Sequence, residues 1–429
     1  MESPQELSLS PTSLVYGGDA LGRLPDGRAV FVPFVLPGEK VRLRVVEEKR
    51  GHVRAEPVEI LEPSSRRIVP RCPHFGQCGG CHYQHMPYEL QLSAKTDILR
   101  DQLQRLGGLQ DIPLHPAIPS PEPFNYRNHI QFHLDPQGKL GFQAARSSHV
   151  IPITECHLPE LPLNEVWPQL DIEPLPGLER IGLRLGAGEE IQLILESRDP
   201  ELFEFSVEEL PLSAVHLSPA GAVVLAGSQD LTMEILGRPF QVSAGAFFQV
   251  NTRMAEAMVR HILEILPLDP SMTLLDLYCG VGLFSAFLAP KVRRLVGIEV
   301  SPDACRDYAE NLDVFDNVEL YEAPAADVLR QVDFHPDAIL VDPPRSGLDH
   351  PTLDALLTQQ ARMLAYVSCD PATLARDARR LTSAGYRLLQ VTPFDLFPQT
   401  YHIESISLWE KLGAFSPLPE SSLLDQEKG

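Results

Sequence analysis

Residues 274–282, LLDLYCGVG, decide the fold of the C-terminal half of this chain. The apolar first half of this stretch is typical of a buried strand, and its glycines allow a tight turn into the helix-like run 283–289. The next strand-like run ends at Glu299, whose carboxylate can accept both hydroxyls of a ribose. Strands and helices alternate from about residue 237 onward. We therefore predict a C-terminal α/β domain with a doubly wound, Rossmann-like sheet.

The same glycine turn indicates which kind of cofactor the sheet would bind. A dinucleotide fingerprint has a third glycine at the position of Ser285. The groups that hold a pyrophosphate are therefore incomplete, whereas Glu299 has the right spacing for a ribose. S-adenosylmethionine, a nucleoside without phosphates, consequently fits these residues better than NAD.

The best candidate nucleophile is Cys369. It follows the apolar run 363–367 and precedes Asp370 and Pro371, which are typical of a helix N-cap and of the first helical position. The sulfur would then face the positive end of a helix, which lowers a thiol pKa from its usual value of about 8.5. We predict a thiolate that is available near neutrality. The alternative is a small buried residue that closes a strand, as most cysteines in cytosolic proteins are.

Two further strand ends carry groups that could exchange protons. The apolar run 339–341 stops at Asp342, and two prolines then force a rigid loop at the edge where open α/β sheets bind ligands. The segment 398–404, PQTYHIE, would bring His402 and Glu404 to one face if it is extended, and either side chain could act on a proton. The alternative for Asp342 is that it merely caps a turn.

Four short blocks carry a family resemblance. They are FFQVN at 247–251, DPPR at 342–345, SCDPATLARD at 368–377 and QTYHIE at 399–404. These look like the signature blocks of the RNA uridine-5 (m5U) methyltransferases of ribosomal and transfer RNA, and the resemblance spans almost the whole chain. One departure is Asp370, where the family commonly has asparagine. Both residues cap helices well, but aspartate adds negative charge beside the thiol.

The resemblance implies a mechanism and a set of site residues. Cys369 would add to C6 of a uracil, C5 would then take the methyl group, and Glu404 would remove the C5 proton before the sulfur leaves. His402 is interpreted as a support of its loop rather than as the base. The residues implied to lie around S-adenosylmethionine are Gln249, Tyr278, Glu299, Asp327 and Asp342.

Four cysteines give a second, independent signal. Cys72, Cys78 and Cys81 have the spacing C-x5-C-x2-C, and Cys156 is a distant fourth. Four thiolates can ligate a zinc ion or a 4Fe-4S cluster, and spacing alone favours zinc. The resemblance instead implies a 4Fe-4S cluster, which family members with this spacing and a distant cysteine carry. Disulfides are not expected in a chain of 429 residues with seven cysteines and no secretory signal.

The N-terminal residues alternate like strands, with glycine turns about every ten residues, which predicts a small β-barrel. This barrel looks like a TRAM module, an OB-like RNA-binding domain. Its basic side chains would contact phosphates if they share a face, or would be ordinary solvated charges if they do not. The basic residues of the barrel are Arg42, Arg44, Lys49, Arg50 and Arg54, and those just after it are Arg66, Arg67 and Arg71.

The distribution of charge constrains how RNA could bind. The formal net charge is −22, which is unfavourable for a polyanion binder. Residues 1–71 carry 11 Lys and Arg against 10 Asp and Glu, whereas residues 160–235 carry 3 against 15. We therefore predict that the central segment turns an acidic face away from RNA, and that binding relies on local basic patches and on stacking.

These blocks predict a multidomain protein with three parts. The predicted domains are a TRAM barrel at 1–63, a central α+β iron–sulfur and RNA-recognition domain at 64–84 plus 118–236, and the methyltransferase domain at 85–117 plus 237–429. The family resemblance implies that the predicted helix at 88–106 packs on the methyltransferase domain, which makes the central domain discontinuous in sequence. The tail after Phe415 is predicted to be disordered.

The resemblance also implies a substrate and a compartment. The barrel and the cysteines favour 23S ribosomal RNA, with transfer RNA as the alternative; a non-catalytic iron–sulfur RNA-binding protein is the alternative of a different class. No run approaches the roughly 18 apolar residues of a membrane span. We expect a cytoplasmic protein with RNA as its partner, no membrane association and no indicated protein partner.

Overall fold

The computed structural model describes residues 6–173, 177–200 and 212–413. The N-terminal strands form a six-stranded sheet with the order β1-β5-β6-β4-β3-β2. Leu9 near one edge lies against Gly22 near the other, because a Cβ at Gly22 would come within 2.4 Å of Leu9 Cδ1. The sheet therefore curls round one apolar core, as predicted for a small barrel. The strands are β1 (Glu6–Leu9), β2 (Ser13–Leu14), β3 (Asp19–Arg23), β4 (Ala29–Pro33), β5 (Lys40–Glu48) and β6 (His52–Glu62).

A long helix, α1 (Tyr88–Arg105), connects this barrel to the C-terminal half of the chain. Its Leu99 and Leu103 are buried in one cluster with apolar residues of the C-terminal sheet and helices. Lys95, which is 2% exposed, donates to the Asp395 carboxylate at 2.5 Å and to the Phe397 carbonyl at 3.0 Å. The helix predicted at 88–106 is thus present, and a buried ion pair fixes it to the C-terminal half.

The central part of the chain is built on a seven-stranded sheet with the order β13-β12-β11-β10-β7-β8-β9. Its apolar face buries Phe132, Leu183 and Leu193 together with Leu163 and Trp167 of the adjoining helical turns. Its elements are β7 (His129–Leu134), β8 (Leu140–Gln143), β9 (Val150–Pro152), α2 (Leu161–Val166), β10 (Leu178–Leu185), β11 (Ile191–Ser197), β12 (Ser213–Ser218) and β13 (Gly221–Ala226). Short 3-10 turns lie at Trp167–Gln169, Ala187–Glu189 and Ala289–Lys291.

A hairpin and a helix lead into the C-terminal sheet, whose order is β18-β17-β16-β19-β20-β22-β21. Five neighbouring strands are parallel and their apolar residues are buried on both faces, as expected of a doubly wound sheet. The elements are β14 (Asp230–Ile235), β15 (Arg238–Ser243), α3 (Thr252–Ile265), β16 (Thr273–Leu277), α4 (Ser285–Leu288), β17 (Arg294–Glu299), α5 (Pro302–Asn311), β18 (Val318–Glu322), α6 (Ala325–Leu329), β19 (Ala338–Val341), α7 (His350–Thr358), β20 (Met363–Ser368), α8 (Pro371–Ser383), β21 (Tyr386–Phe394) and β22 (Glu404–Lys411).

The sheet topology brings the predicted catalytic residues to one edge. The parallel strands β16, β17, β19 and β20 end together there, and β22 runs antiparallel to β20 with Ser368 paired to Ser405. Glu404 at the start of β22 therefore lies beside the end of β20 and Cys369.

Among the described residues, no helix is long and apolar enough to cross a membrane. The tail after Phe415 lies outside the described residues.

Candidate active site and cysteine cavity

Cys369 lies at the junction of β20 and α8. The Asp370 carboxylate caps α8 by accepting the backbone N–H groups of Ala372 and Thr373, both at 2.9 Å. Pro371 occupies the first turn, where its missing N–H has no helical partner to lose. The predicted strand, cap and helix start are therefore all confirmed, and they hold the thiol at the carboxyl edge of the sheet.

The predicted ionisation of this thiol is wrong in the protein without substrate. Burial, together with the carboxylates of Glu404 and Asp342, raises the pKa of Cys369 to about 12, while Arg345 opposes them. Loss of hydration disfavours the thiolate, and so do the neighbouring carboxylates. Cys369 therefore keeps its proton near neutrality, so its attack on a substrate requires a group that accepts this proton.

Two carboxyl groups beside Cys369 can serve as proton acceptors. Glu404 is 4% exposed, and burial together with Asp342 raises its pKa well above the usual range. Burial also raises the pKa of Asp342 to about 7. Like charges in a poorly hydrated pocket cannot all ionise, so these groups titrate together rather than independently. The pocket thus combines a thiol with two carboxyl groups whose pKa values are both raised.

The loop that carries Glu404 is held by several surrounding segments. The carbonyl of Gln399 accepts the N–H groups of His82 at 2.8 Å and Tyr83 at 3.0 Å, and the Tyr126 hydroxyl donates to the Pro398 carbonyl at 3.1 Å. Gln399 has a φ of 68°, a left-handed conformation that a non-glycine residue rarely adopts. These bonds offset that strain and fix the approach of the chain to Glu404.

Gln91 and His402 support the same loop. The Gln91 side-chain amide donates to the Gln399 side chain and accepts the Gln399 backbone N–H, both at 3.0 Å. Helix α1 is therefore joined to Gln399 by two hydrogen bonds. Burial lowers the pKa of His402 to about 3, which leaves a neutral and weakly basic imidazole. The ring packs against Phe397 and Tyr401. These contacts agree with the interpretation of His402 as a support rather than as the base.

Glu299 organises the neighbouring part of the sheet edge. Its carboxylate accepts the N–H groups of Gly280 at 3.0 Å, Val300 at 2.7 Å and Ser301 at 2.8 Å. Tyr278 in the glycine turn has a φ of 63°, and a Cβ added at Gly280 would meet nothing within 4 Å. The turn is thus tight, fixed to Glu299 and open on the side of Gly280, which leaves room for a ligand.

The residue at the position of a third glycine has a structural role that the sequence did not reveal. Ser285 is fully buried, and its hydroxyl donates to the Asp276 carboxylate at 2.5 Å and accepts from the Tyr308 hydroxyl at 3.1 Å. Burial raises the pKa of Asp276 to about 7. The sequence analysis does not name Asp276 as a site residue. The feature that could have indicated it is a carboxylate inside an otherwise apolar strand.

Two other predicted site residues, Gln249 and Asp327, have no described contact with the Cys369 thiol. Gln249 is buried in the loop between β15 and α3, where the Asn128 side chain donates to its carbonyl at 3.0 Å. Asp327 is exposed on α6 and pairs with Arg330 at 3.4 Å. The structure therefore brings Cys369, Asp342 and Glu404 into direct electrostatic contact, whereas the described contacts of Gln249 and Asp327 are with other residues.

Cys72, Cys78, Cys81 and Cys156 line a single cavity of about 560 Å³. Burial raises the pKa of each thiol, that of Cys156 to about 12, and the nearby thiols add to the shift at three of them. The backbone is close here, since a Cβ at Gly79 would lie 2.7 Å from the Gln143 carbonyl. Within the described ranges, however, no group of three or more His, Cys, Asp or Glu side chains is arranged to hold a metal ion.

The cysteine cavity extends toward the candidate active site. Arg127, Phe247, Arg345 and Phe397 line it together with the four thiols. Phe247 is 70% exposed, and Arg127 lies over the Phe397 ring at 5.8 Å. The cavity therefore combines cationic and aromatic side chains at one end, a composition that suits nucleic-acid bases and phosphates.

The basic side chains of the barrel are largely neutralised by ion pairs. Their carboxylate partners lie mostly on the neighbouring strand or loop, at 2.6 to 3.2 Å. The pairs are Arg42 with Glu59, Arg44 with Glu56, Lys49 with Glu47, Arg54 with Asp19 and Arg67 with Glu39. Those pairs that are exposed add little stability, but all five reduce the charge available to phosphates. A uniformly basic barrel face, as the sequence allowed, is not what these residues form.

Comparison with known proteins places this geometry in context. Residues 228–412 match the profile described as tRNA (Uracil-5-)-methyltransferase, and residues 5–58 match the TRAM domain. An uncharacterized RNA methyltransferase from Aquifex aeolicus is 34% identical over 94% of this chain and 98% of its own length. Another, from Streptomyces coelicolor, is 33% identical over 95% of this chain and 93% of its own length.

A solved structure shares the complete fold. The crystal structure of Pyrococcus abyssi tRNA (uracil-54, C5)-methyltransferase in complex with S-adenosyl-L-homocysteine superposes with a TM-score of 0.71 and 24% identity. The match covers 94% of this chain and 100% of that chain. The barrel, the central sheet and the C-terminal sheet therefore occur together in the same arrangement elsewhere.

Proposed function

Because this chain belongs to the RNA uridine-5 (m5U) methyltransferase family, we propose that it transfers a methyl group from S-adenosylmethionine to C5 of a uridine in 23S ribosomal RNA. The observation that carries this proposal is the meeting of Cys369, Asp342 and Glu404 at the carboxyl edge of the sheet. The three groups match the three tasks of the reaction: attack, acceptance of the thiol proton and removal of the C5 proton.

Cys369 would act first, because C5 of uracil is too weak a nucleophile to attack a methyl sulfonium unaided. Its sulfur forms a bond to C6, the electrons move toward C5 and O4, and the thiol proton passes to a neighbouring carboxylate. Asp342 suits that role, since a pKa of about 7 leaves part of it ionised at neutral pH. C5 then carries the negative character that it needs to bond to the methyl carbon.

Glu404 would complete the reaction as the general base. After methyl transfer C5 still carries its proton, and the C6–S bond can break only when that proton leaves. The buried carboxylate of Glu404 takes it, the C5–C6 double bond re-forms and the sulfur departs as thiolate. His402 is a poor substitute, because burial lowers its pKa to about 3.

The residues at the glycine turn fit a nucleoside donor. S-adenosylmethionine supplies the methyl group on an electrophilic sulfonium. Glu299 would accept the ribose hydroxyls, the open space at Gly280 leaves room for the nucleoside, and Tyr278 would pack beside it. Gln249, Asp327 and Asp342 would complete the binding site, with Asp327 toward the adenine end.

The four cysteines would hold a 4Fe-4S cluster. Four partly buried thiols around one cavity are a suitable donor set, and the cavity of about 560 Å³ has room for a body larger than one ion. A zinc ion bound by the four sulfurs is the alternative that the spacing alone favours. The proposed methyl transfer needs no electron, so the cluster would serve folding or RNA placement.

Replacing Cys72 by serine should remove one of four ligands and open the site. We expect the iron content of anaerobically prepared protein to fall from about four per chain toward zero, with loss of visible colour and a lower melting temperature. Iron and sulfide analysis with a thermal melt would measure both effects.

The matched control for this experiment is Cys305→Ser. Cys305 is another buried cysteine, on α5, and it does not line the cavity. It should leave iron content unchanged. A wild-type protein prepared without oxygen that contains zinc and no iron would overturn the cluster assignment.

We propose that the RNA binds between the predicted domains of the chain. We propose the boundaries 1–63, 64–84 plus 118–236, and 85–117 plus 237–429, with α1 docked on the methyltransferase domain through the Lys95–Asp395 pair. The acidic segment 160–235, part of which lies outside the described residues, would face away from RNA. Substrates of this class are made and assembled in the cytoplasm, where we place the enzyme.

We propose 23S ribosomal RNA from the family resemblance of the barrel together with the cysteines, and transfer RNA is the alternative, because the solved structure that shares the fold is that of a transfer RNA enzyme. The test is transfer of labelled methyl to unmodified 23S ribosomal RNA and to unmodified transfer RNA, side by side, with anaerobically purified protein. We expect 5-methyluridine in ribosomal RNA alone. Label only in transfer RNA would keep the chemistry and reject the proposed substrate, and label in neither would reject both.

A further inference from the structure

The catalytic loop, residues 395–403 between β21 and β22, is tied to both chain segments that carry the cysteines. One tie comes from the residues directly after Cys81. The N–H groups of His82 and Tyr83 both donate to the Gln399 carbonyl, at 2.8 and 3.0 Å. The backbone next to one sulfur therefore holds the backbone of the catalytic loop.

The second tie comes from the segment that follows Cys156. The N–H groups of Tyr126 and Arg127 donate to the Leu158 carbonyl, at 3.0 and 2.9 Å, so these two stretches lie side by side. Tyr126 is 4% exposed, and its hydroxyl donates to the Pro398 carbonyl at 3.1 Å. A single buried side chain thus joins the segment of the distant cysteine to the catalytic loop.

The two ties meet at consecutive residues of the catalytic loop. Pro398 and Gln399 accept them through neighbouring carbonyls, and Gln399 is five residues before Glu404. Gln399 is 3% exposed and has a left-handed φ of 68°, so its conformation depends on its partners. Cys369 is instead held between β20 and the start of α8. A shift of either cysteine segment would therefore move the approach to Glu404 and leave Cys369 in place.

A group bound by the four sulfurs would fix the two segments relative to each other. Cys72, Cys78 and Cys81 belong to one segment and Cys156 to the other, and all four line the same cavity of about 560 Å³. Either a 4Fe-4S cluster or a zinc ion would join the segments through its ligands. The segments would in turn set the positions of the donors to the catalytic loop.

We propose that the cysteine site positions Glu404 through the two carbonyls of the catalytic loop, with Tyr126 as a positioning residue. The inference rests on the proposed role of Glu404 as the general base. It gives the cysteines a task in a reaction that needs no electron, which is the alignment of the step that removes the C5 proton. A loosened cysteine site should therefore impair that step and spare the attack by Cys369.

The coupling is tested by amide hydrogen exchange, measured by mass spectrometry on peptides of the catalytic loop in anaerobically prepared protein without RNA or methyl donor. Cys72→Ser removes one sulfur of the site, and Tyr126→Phe removes one hydrogen bond and keeps the ring. Each should speed exchange in the catalytic loop by about fivefold or more, because the loop loses a buried restraint. Exchange in the core strand β19 should stay that of the wild type.

The matched controls are Cys305→Ser and Tyr386→Phe. Tyr386 is also buried, and its hydroxyl also donates to a backbone carbonyl, that of Ala361 at 2.8 Å. It begins β21, at the end of that strand away from the catalytic loop. Tyr386→Phe should lower the melting temperature about as much as Tyr126→Phe. Neither control should change exchange in the catalytic loop.

The catalytic consequence is measured with RNA and labelled methyl donor. Tyr126→Phe should lower kcat by about three- to tenfold, leave the KM for RNA unchanged and accumulate the methylated covalent adduct, because a misplaced Glu404 removes the C5 proton slowly. Tyr386→Phe should show the wild-type kcat and no adduct. A loss of stability alone would affect both variants in the same way.

Two sets of results would overturn the proposal. Exchange in the catalytic loop that is unchanged in Cys72→Ser or Tyr126→Phe, or that rises only together with exchange in β19, would refute the coupling. Wild-type turnover by Tyr126→Phe, or reduced turnover without adduct, would refute its role as a positioning residue. Because exchange uses no RNA, a chain that methylates no RNA fails the proposed function while the exchange result still decides the coupling.

Discussion

Cys369→Ala is expected to reduce RNA methylation by at least about 10⁴-fold, the scale seen when a covalent nucleophile is removed. Without the sulfur, C6 gains no substituent and C5 never acquires the negative character that bonds to a methyl carbon. The RNA and the methyl donor should still bind, because the change removes one partly buried sulfur from the rim of the pocket. Labelled methyl in RNA, measured in single-turnover reactions, checks the rate, and a denaturing gel checks for a covalent protein–RNA product.

The control is Cys369→Ser, which keeps a polar atom of similar position. An alcohol has a much higher pKa than a thiol and is a weaker nucleophile, so serine should rescue little of the activity. Both variants should melt like the wild type, since neither disturbs the Asp370 cap of α8. Methylation by Cys369→Ala at the normal rate would remove Cys369 from the mechanism altogether.

The position of Cys369 could be predicted because each of its determinants is local. An apolar run, an N-cap residue and a proline at the first helical position are adjacent in sequence, and together they place a strand end and a helix start. The glycine turn after β16 and the carboxylate at the end of β17 were predictable for the same reason. Such patterns locate residues within elements and at their ends.

The ionisation of Cys369 could not be predicted in this way. It depends on burial and on Glu404 and Asp342, which belong to other strands and reach the thiol only through the sheet topology. The local sequence shows the helix start, which favours a thiolate, and Asp370, which opposes it. A pKa reflects the whole surroundings of a group, and the sequence near Cys369 contains only a part of them.

Ser285 and the barrel arginines are two further cases in which local sequence does not show the partners of a side chain. Ser285 was interpreted as a missing glycine, although its buried hydroxyl joins Asp276 to Tyr308. The barrel arginines were counted as charges available to phosphates, although Arg42 and Arg44 pair with glutamates across the neighbouring strand. A count of residue types gives net charge, but the register of two strands decides which charges are already paired.

The catalytic loop links these parts of the molecule. It receives hydrogen bonds from His82 and Tyr83, next to the cysteine loop, and from Gln91 on α1, and it contacts Tyr16 of the barrel. Segments far apart in sequence therefore determine where the chain enters β22. Under the proposed mechanism, the placement of Glu404 toward C5 of a bound uridine would therefore depend on all of these segments.

Glu404→Gln is expected to stop turnover after methyl transfer and to trap the enzyme on its RNA. The amide has nearly the volume of the carboxyl group it replaces, so the pocket should keep its shape, but it cannot take the C5 proton. The C6–S bond then cannot break, and a methylated RNA remains attached to Cys369. We expect turnover to fall by about 10²- to 10⁴-fold, with a denaturation-resistant adduct that contains labelled methyl in near-equal amount to enzyme.

Asp342→Asn distinguishes the two carboxyl groups beside the thiol. If Asp342 accepts the thiol proton, its loss should slow formation of the adduct and leave none to accumulate, whereas Glu404→Gln should form the adduct and fail to resolve it. The double variant should resemble Asp342→Asn, because the earlier step then limits the reaction. Adduct accumulation in Asp342→Asn together with normal turnover in Glu404→Gln would exchange the proposed roles.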